Sequence, residues 1–373
     1  MGFIEKDVFE TIERELERAL QEHPELTSDE LEAATERALQ SSLDALFEVI
    51  PGVIESSAAK ALKTSRKLQL GFEQRCYRRW RKAFELFEII RGVAAEIGEK
   101  HAQEHFRAVE EERDYIFFAL SHLHPRMLLV ASEIDALLRT GFPDGALARW
   151  RTLHEIAVVA LFIAQSDQDT AKRYLASFQF NAHRDANQLN EYAQRANLSP
   201  FSAEEIEAMG IVCQAFEKEV GRAIGREYDW AKEALKKDRP TLFDLEKATG
   251  QDHWRPRYRW ACQHVHAGHR PSDKLLGMSE AKNPVNLIGS SNSGFVDPFS
   301  MSACSISDCC RAFFERRATI DSVVALKSIQ VLSERLGHIA LQLETDTLES
   351  YQKRTTFKGI ATRSLNWLRK LVS

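Results

Sequence analysis

Gly145-Ala-Leu-Ala-Arg-Trp-Arg-Thr-Leu-His-Glu155 leads directly into the apolar run Ile156-Ala-Val-Val-Ala-Leu-Phe-Ile163, and this combination determines the architecture of the protein. The run is apolar on every face of a helix, and such a helix is stable only when other elements surround it. We therefore expect a helix at about 145–165 in the centre of the molecule. Arg151 and Glu155 lie one turn apart on the face that carries apolar residues further along, so we expect the pair to be at least partly buried.

The rest of the chain has the composition of a helical protein. Of its 373 residues, 44% are hydrophobic, and only 17 are glycine and 10 are proline. Alanine, leucine, glutamate, arginine and lysine are abundant, and no segment alternates polar and apolar residues as a strand would. A chain of this length can bury a large core. The sequence therefore predicts an all-α, multi-helix bundle.

The helix signals divide this bundle into three parts. We expect an acidic helical hairpin at 1–52, a helical core domain at 53–300 and long C-terminal helices at 301–373 that pack on the core, the last of them basic. Within this scheme one helix is expected to end at Pro51-Gly52 and another to be interrupted near Pro125, because proline removes a backbone donor and clashes with the preceding turn. Residues 270–300 are predicted to form a long loop.

Charge and cysteine usage restrict the class of protein. A net charge of −5 argues against a protein coated for nucleic acid, although residues 60–82 are strongly basic. Six scattered cysteines without a CxxC pair are typical of a reduced, cytoplasmic protein. No secretory signal, membrane span, phosphate loop or lipase-type serine motif is present. His101-Ala-Gln-Glu-His105 fits the H-x-x-E-H pattern of zinc proteases, but its charged surroundings indicate a solvated helix face, so we expect neither a metal nor a cofactor.

A second polar stretch, Trp254-Arg-Pro-Arg-Tyr-Arg-Trp-Ala-Cys-Gln-His-Val-His-Ala-Gly-His269, supplies the candidate site residues. On one continuous helix, Tyr258 and His266 would share a face with Arg259 at its border, whereas His264 would point away. The structural interpretation is an ion pair between Arg151 and Glu155 and a histidine that holds a helix end. The functional interpretation is a pocket formed by Arg151, Glu155, Tyr258 and His266, in which the arginine binds an anion and the glutamate orients a histidine.

Several pieces resemble a known family: Gly71-Phe-Glu-Gln-Arg75 with Trp80, then 145–155, Tyr228-Asp-Trp-Ala231 and 258–267. Together they are similar to the uncharacterised bacterial family catalogued as domain of unknown function 5677, over roughly residues 60–270. The resemblance implies an all-helical fold and no particular reaction. Arg151, Glu155, Tyr258 and His266 match its pattern.

The spacing of arginine and histidine also resembles that of HEPN-type ribonucleases, which place an arginine four to six residues before a histidine on a late helix. Counted as intervening residues, the spacing is four from Arg259 to His264, and six from Arg259 to His266 and from Arg257 to His264. The resemblance implies a metal-independent ribonuclease in a toxin or phage-defence setting, active as a homodimer. His264 or His266 would be the general base, and Arg259 would stabilise the phosphate.

Two hypotheses about function therefore stay open. The first is a helical module without catalytic activity that binds a ligand or a partner through the pocket around Arg151, Glu155, Tyr258 and His266. The second is the HEPN-like ribonuclease. The partners expected from the sequence are RNA, a protein that binds the acidic N-terminal helices and a second copy of the chain, but not a membrane.

Overall fold

The fold is all-α, as the sequence predicts. A computed structural model describes residues 12–14, 16–18, 20–22, 25, 27–283 and 285–372, with residues 351–372 described as backbone. All regular secondary structure in these residues is helical. From Ser28 onward the α-helices are, in chain order, α1 Ser28–Glu112, α2 Tyr115–Arg139, α3 Pro143–Gln165, α4 Gln168–Ala196, α5 Ala203–Val220, α6 Lys232–Leu235, α7 Leu242–Thr249, α8 Arg255–Cys262, α9 Val296–Glu315 and α10 Ile320–Val372.

Two predicted helix ends are wrong. Helix α1 continues through Pro51, where the sequence analysis ends a helix, and α2 continues through Pro125, where it expects an interruption. A proline inside a helix removes one hydrogen bond, but the residues before and after it keep theirs, so a long helix tolerates the loss. The long C-terminal helices expected at 301–373 correspond to most of α9 and the whole of α10.

The chain divides into two compact units, of which the first ends at Phe72 and the second begins at Glu73. Helix α1 contributes to both units. The three-part division at residues 52 and 300 stays a prediction. None of the described helices combines the length and the apolar character that a bilayer span requires.

Helix α3 lies at the centre of the second unit, as predicted. It packs against α2 and α9, and the short helices α7 and α8 also contact it. All eight residues of the apolar run 156–163 are buried. Helix α9 in turn packs against α10, and α4 packs against α2 and α5. The all-round apolar pattern of α3 is therefore explained by neighbours on every side.

The segment between α8 and α9 is tied to the body of the second unit at both ends. The amides of Leu276 and Gly277 donate to the two carboxylate oxygens of Asp144 at 2.8 and 2.9 Å, and Ser291 N donates to Gly141 O at 2.8 Å. Asp144 lies in the first turn of α3, and its carboxylate binds these amides rather than capping the helix. The predicted loop at 270–300 thus contains two 3₁₀ turns and ends where α9 begins at Val296.

The histidines of the H-x-x-E-H pattern face the protein interior rather than solvent. His101 is buried among phenylalanines, and its Nε2 lies 3.0 Å from the carbonyl oxygen of Arg316. His105 Nε2 lies 2.7 Å from the carbonyl oxygen of Arg317. The prediction of a solvated face is wrong here, because this face of α1 packs against the turn that joins α9 to α10.

Candidate functional site

Arg151 and Tyr258 are in contact although they are 107 positions apart in sequence. Arg151 lies on the central helix α3 and is half-buried, whereas Tyr258 lies on α8 and is buried. Arg151 Nη2 donates a hydrogen bond to Tyr258 Oη at 3.2 Å, and the guanidinium lies 5.0 Å from the centroid of the tyrosine ring. This combination of a hydrogen bond and a cation–π contact fixes the side chain of Arg151 while leaving other guanidinium donors unused.

Glu155 binds a tyrosine rather than a histidine. Its Oε1 accepts a hydrogen bond of 2.6 Å from the hydroxyl of Tyr228, in the segment between α5 and α7. Burial raises the pKa of Tyr228, and the negative charge of Glu155 raises it further. The phenol is therefore held in its neutral, donating form. The expectation that Glu155 orients a histidine finds no support in this geometry.

A second pair, missed by the sequence analysis, lies directly behind Tyr258. His154 Nε2 and Glu246 Oε1 are 3.0 Å apart, and both side chains are almost completely buried. Arg255 Nη2 lies 2.6 Å from the other carboxylate oxygen of Glu246, and the guanidinium of Arg255 lies 5.1 Å from the Tyr258 ring. A buried carboxylate requires such partners, because an isolated charge in the interior costs several kcal/mol.

One sequence signal points to this pair. His154 is part of the stretch 145–155 that carries the family resemblance, and it precedes the apolar run of α3. Glu246 lies on the buried face of α7 together with Leu242 and Leu245. A charged residue on the apolar face of a short amphipathic helix indicates a buried partner, but it does not say which residue that partner is.

The helix that carries Tyr258 is shorter than predicted. Helix α8 ends at Cys262, and the next three amides donate to carbonyls three residues back rather than four, at 3.0 to 3.1 Å. His266 follows this tighter turn, so it lies outside the helix and does not share the helical face of Tyr258. Both His266 and Arg259 are exposed, and neither side chain forms a hydrogen bond or ion pair with another described residue.

His264 belongs to a separate cluster. Its Nδ1 lies 3.2 Å from Asp144 Oδ1, and its Nε2 lies 2.7 Å from Arg270 Nη1. Since the arginine can only donate, Nε2 accepts and the ring proton resides on Nδ1, where it faces the carboxylate. Burial lowers the pKa of His264 and the charge of Arg270 lowers it further, against the opposing effect of Asp144. Both ring nitrogens are therefore occupied.

The structure thus brings some of the predicted site residues together and leaves others apart. Arg151 and Tyr258 are in contact, and Glu155 lies one turn away with Tyr228. His264 lies in its own cluster with Asp144 and Arg270, and Arg259 and His266 are exposed at the surface. Among the residues that the structure describes, no group of three or more His, Cys, Asp or Glu side chains is arranged to hold a metal ion.

Comparison with curated proteins and with solved structures finds no match. Comparison with protein families finds one match, which begins within α2 and ends before α9. The matched range therefore contains Arg151, Glu155, Tyr228, Glu246 and Tyr258. Gly71 to Arg75 and Trp80 lie outside it. The resemblance seen in the sequence is therefore confirmed for the central part of the chain, whose residues 117–283 match the Family of unknown function (DUF5677).

Proposed function

We propose that this chain is a ligand-binding module whose site binds an anionic group, a carboxylate or a phosphate, at Arg151. One observation carries the proposal. Among the described residues, the half-buried guanidinium of Arg151 donates a hydrogen bond only to Tyr258, and its Nε is buried without a hydrogen-bond partner. A partly desolvated guanidinium with unused donors favours an acceptor that can bind two of them at once, as carboxylates and phosphates do.

Glu155 adds a carboxylate to the site, beside the positive charge of Arg151. One of its oxygens accepts from Tyr228. Burial lowers the pKa of Arg151, the hydrogen bond to Tyr258 raises it, and the charge of Glu155 adds a smaller contribution in the same direction as Tyr258. A ligand that carries a hydrogen-bond donor next to its anionic group would therefore be bound at both ends. The buried pair of His154 and Glu246 supports Tyr258 from behind and keeps the site rigid.

Binding of inorganic phosphate and of citrate, each measured by calorimetry and by the shift in melting temperature, tests the proposal. We expect both anions to stabilise the wild-type chain and Arg151→Gln to abolish the effect, because a ligand stabilises in proportion to its occupancy of the folded state. Tyr258→Phe should weaken binding, since it leaves the ring but removes the hydroxyl that orients the guanidinium.

Arg149→Gln is the matched control. Arg149 lies on the same helix, is partly exposed and is already paired with Glu133 and Thr152, so its loss should leave anion binding unchanged. Equal loss of binding in both variants would mean that only net charge matters. No binding by the wild-type chain would overturn the proposal.

The metal-independent HEPN-like ribonuclease of a toxin or phage-defence system is the second candidate. The exposed positions of Arg259 and His266, without partners among the described residues, support it, since both side chains are available to RNA. Cleavage of RNA in the presence of EDTA tests it. A ribonuclease should lose activity in Arg259→Ala and in His266→Ala with the melting temperature unchanged. His264→Ala should instead lower stability, because His264 is enclosed by Asp144 and Arg270.

A further inference from the structure

The first unit of the chain carries an exposed apolar stripe on α1. Its members are spaced by seven residues: Phe47, Ile54, Ala61 and Leu68. All four are exposed, and the exposed fractions of Phe47, Ile54 and Leu68 are 66%, 60% and 67%. Seven residues make nearly two turns of an α-helix, so these side chains lie along one side of α1 over about 32 Å.

A stripe with this spacing stays on one side of a helix and is able to face a second helix along its length. Repeats of seven keep the apolar side facing a partner when two helices wind around each other with a left-handed twist. Large apolar side chains that are exposed in a row are costly in water, whereas single ones are ordinary on a protein surface. The spacing therefore suits a helical partner, and the distribution of charge along α1 indicates which partner it is.

Charge is separated along this part of α1. The half from 43 to 57 contains Asp44, Glu48 and Glu55 and no basic residue. The half from 58 to 72 contains no acidic residue, and its basic residues are Lys60, Lys63, Arg66 and Lys67. The midpoint between the halves is also the midpoint of the stripe, between Ile54 and Ala61.

We propose that α1 forms an antiparallel pair with α1 of a second copy of this chain, through the apolar stripe. In the antiparallel arrangement the acidic half of each copy lies beside the basic half of the other, and Phe47 of one copy lies level with Leu68 of the other. A parallel arrangement would place like charges side by side along the whole contact, which is unfavourable. The helix is thus complementary to itself in one orientation.

Analytical ultracentrifugation of the full chain between about 1 and 100 μM measures the dimer directly. Ile54→Asp places a charge in the middle of the stripe and should raise the dissociation constant on the order of 100-fold or more, because the charge would be buried without a partner. Val49→Asp is the matched control, since Val49 is 60% exposed but lies well away from the stripe around the helix, and the dimer should persist. A circular dichroism spectrum verifies that both variants keep their helix content.

Charge reversal tests whether attraction between the acidic and basic halves of α1 stabilises the dimer. A variant with Lys60, Lys63, Arg66 and Lys67 changed to glutamate should be monomeric, because both halves of its helix are then acidic. A variant with Asp44, Glu48 and Glu55 changed to lysine should also be monomeric, because both halves are then basic. Mixed in equal amounts, the two variants should form a heterodimer that dissociates as salt is added. Monomeric wild-type chain at 100 μM, or two variants that do not associate when mixed, would overturn the proposal.

The orientation is read from a photo-cross-link. With benzoylphenylalanine replacing Phe47, irradiation should join this position to the tryptic peptide 68–75 of the second copy. A cross-link to the peptide 38–60 of the second copy would indicate a parallel pair and contradict the antiparallel arrangement. Cross-linking of a different protein in a cell lysate, with none between two copies, would identify another occupant of the stripe and contradict the proposal as well.

Discussion

Asp114 connects the start of α2, the start of α4 and the turn between α9 and α10 through one carboxylate. It caps α2 by accepting from Phe117 N at 3.2 Å, and it accepts from the side chain of Gln168 at 3.1 Å. Arg316 and Arg317 both bind it, at 2.8 and 3.0 Å, from the turn between α9 and α10. Burial alone would raise the pKa of Asp114, but these hydrogen bonds and charges outweigh burial and lower the pKa to about 2.

The pKa of Asp114 predicts how its contribution to stability depends on pH. A carboxyl group whose pKa is depressed in the folded state stabilises above its unfolded pKa, and that contribution is lost as pH falls through the folded pKa. Because the pKa falls from its ordinary value of 3.8 to about 2, the ionised carboxylate contributes about 2 kcal/mol to the free energy of unfolding at neutral pH. Asp114→Asn should therefore destabilise the chain at pH 7, by at least this amount, and the difference should shrink between pH 4 and pH 2.

Urea unfolding of wild type and Asp114→Asn at pH 7, 4 and 2.5 measures this difference. Asp273→Asn is a suitable control, because Asp273 is exposed and pairs only with its neighbour Lys274 among the described residues. A difference between wild type and Asp114→Asn that is equally large at pH 7 and pH 2.5 would contradict the assignment of the effect to the ionised carboxylate.

At the scale of elements, the contact between α1 and α2 depends on a glycine. Gly98 is buried, and a Cβ atom there would overlap the ring of His124. His124 itself is enclosed by Phe313 and Phe314, so it cannot move aside easily. Burial lowers the pKa of His124 to about 4, with a smaller contribution from His101, so the ring is neutral at physiological pH.

We expect Gly98→Ala to destabilise the chain by about 1–3 kcal/mol, because the added methyl group overpacks a rigid contact. Gly92→Ala on the same helix has nothing within 4 Å of the new Cβ and should stabilise by up to about 1 kcal/mol, since alanine favours the helix. The melting temperatures of the two variants measure the contrast. A loss of stability in both would mean that α1 itself, and not its contact with His124, is sensitive.

The segment between α8 and α9 offers a second prediction at this scale. Asp144 binds the amides of Leu276 and Gly277 and the ring of His264. Asp144→Ala leaves these donors without their acceptor, so we expect the two amides to exchange hydrogen at least about tenfold faster, a change of about 1.4 kcal/mol in local opening. Hydrogen-exchange mass spectrometry of the peptides around 270–290 measures it, with the apolar run of α3 as the internal reference. Unchanged exchange in 270–290 would show that other contacts hold the segment.

At the scale of the whole molecule, the two units differ in how they bury apolar surface. The second unit contains the core around α3, whereas much of α1 before Phe72 has exposed side chains. Stability of a globular unit comes mainly from such a core. The second unit should therefore fold without the first.

A chain of residues 73–373 tests this expectation. We predict that its melting temperature lies within about 5 °C of that of the full chain and that it unfolds in a cooperative transition on heating. The same fragment should be monomeric in the ultracentrifuge, because it lacks the apolar stripe. A fragment that aggregates or melts without cooperativity would show that the first unit is needed to complete the core.

The sequence by itself determined the fold class and the central helix. Helix formation follows from local composition, and the all-round apolar run at 156–163 requires burial whatever its neighbours are. Local patterns were less reliable at helix ends. Pro51 and Pro125 were expected to break helices, but the hydrogen bonds on both sides of each proline outweigh the loss of one.

Which polar groups come into contact depends on how distant helices pack. The partnership of His154 with Glu246 spans 92 positions, and that of Asp144 with His264 spans 120, so no local spacing encodes them. A buried polar group needs a hydrogen-bond partner, but the sequence offers several residues of the right chemistry for each such group. The choice among them depends on how α3, α7 and α8 pack, because a hydrogen bond forms only when packing brings two atoms within about 3 Å.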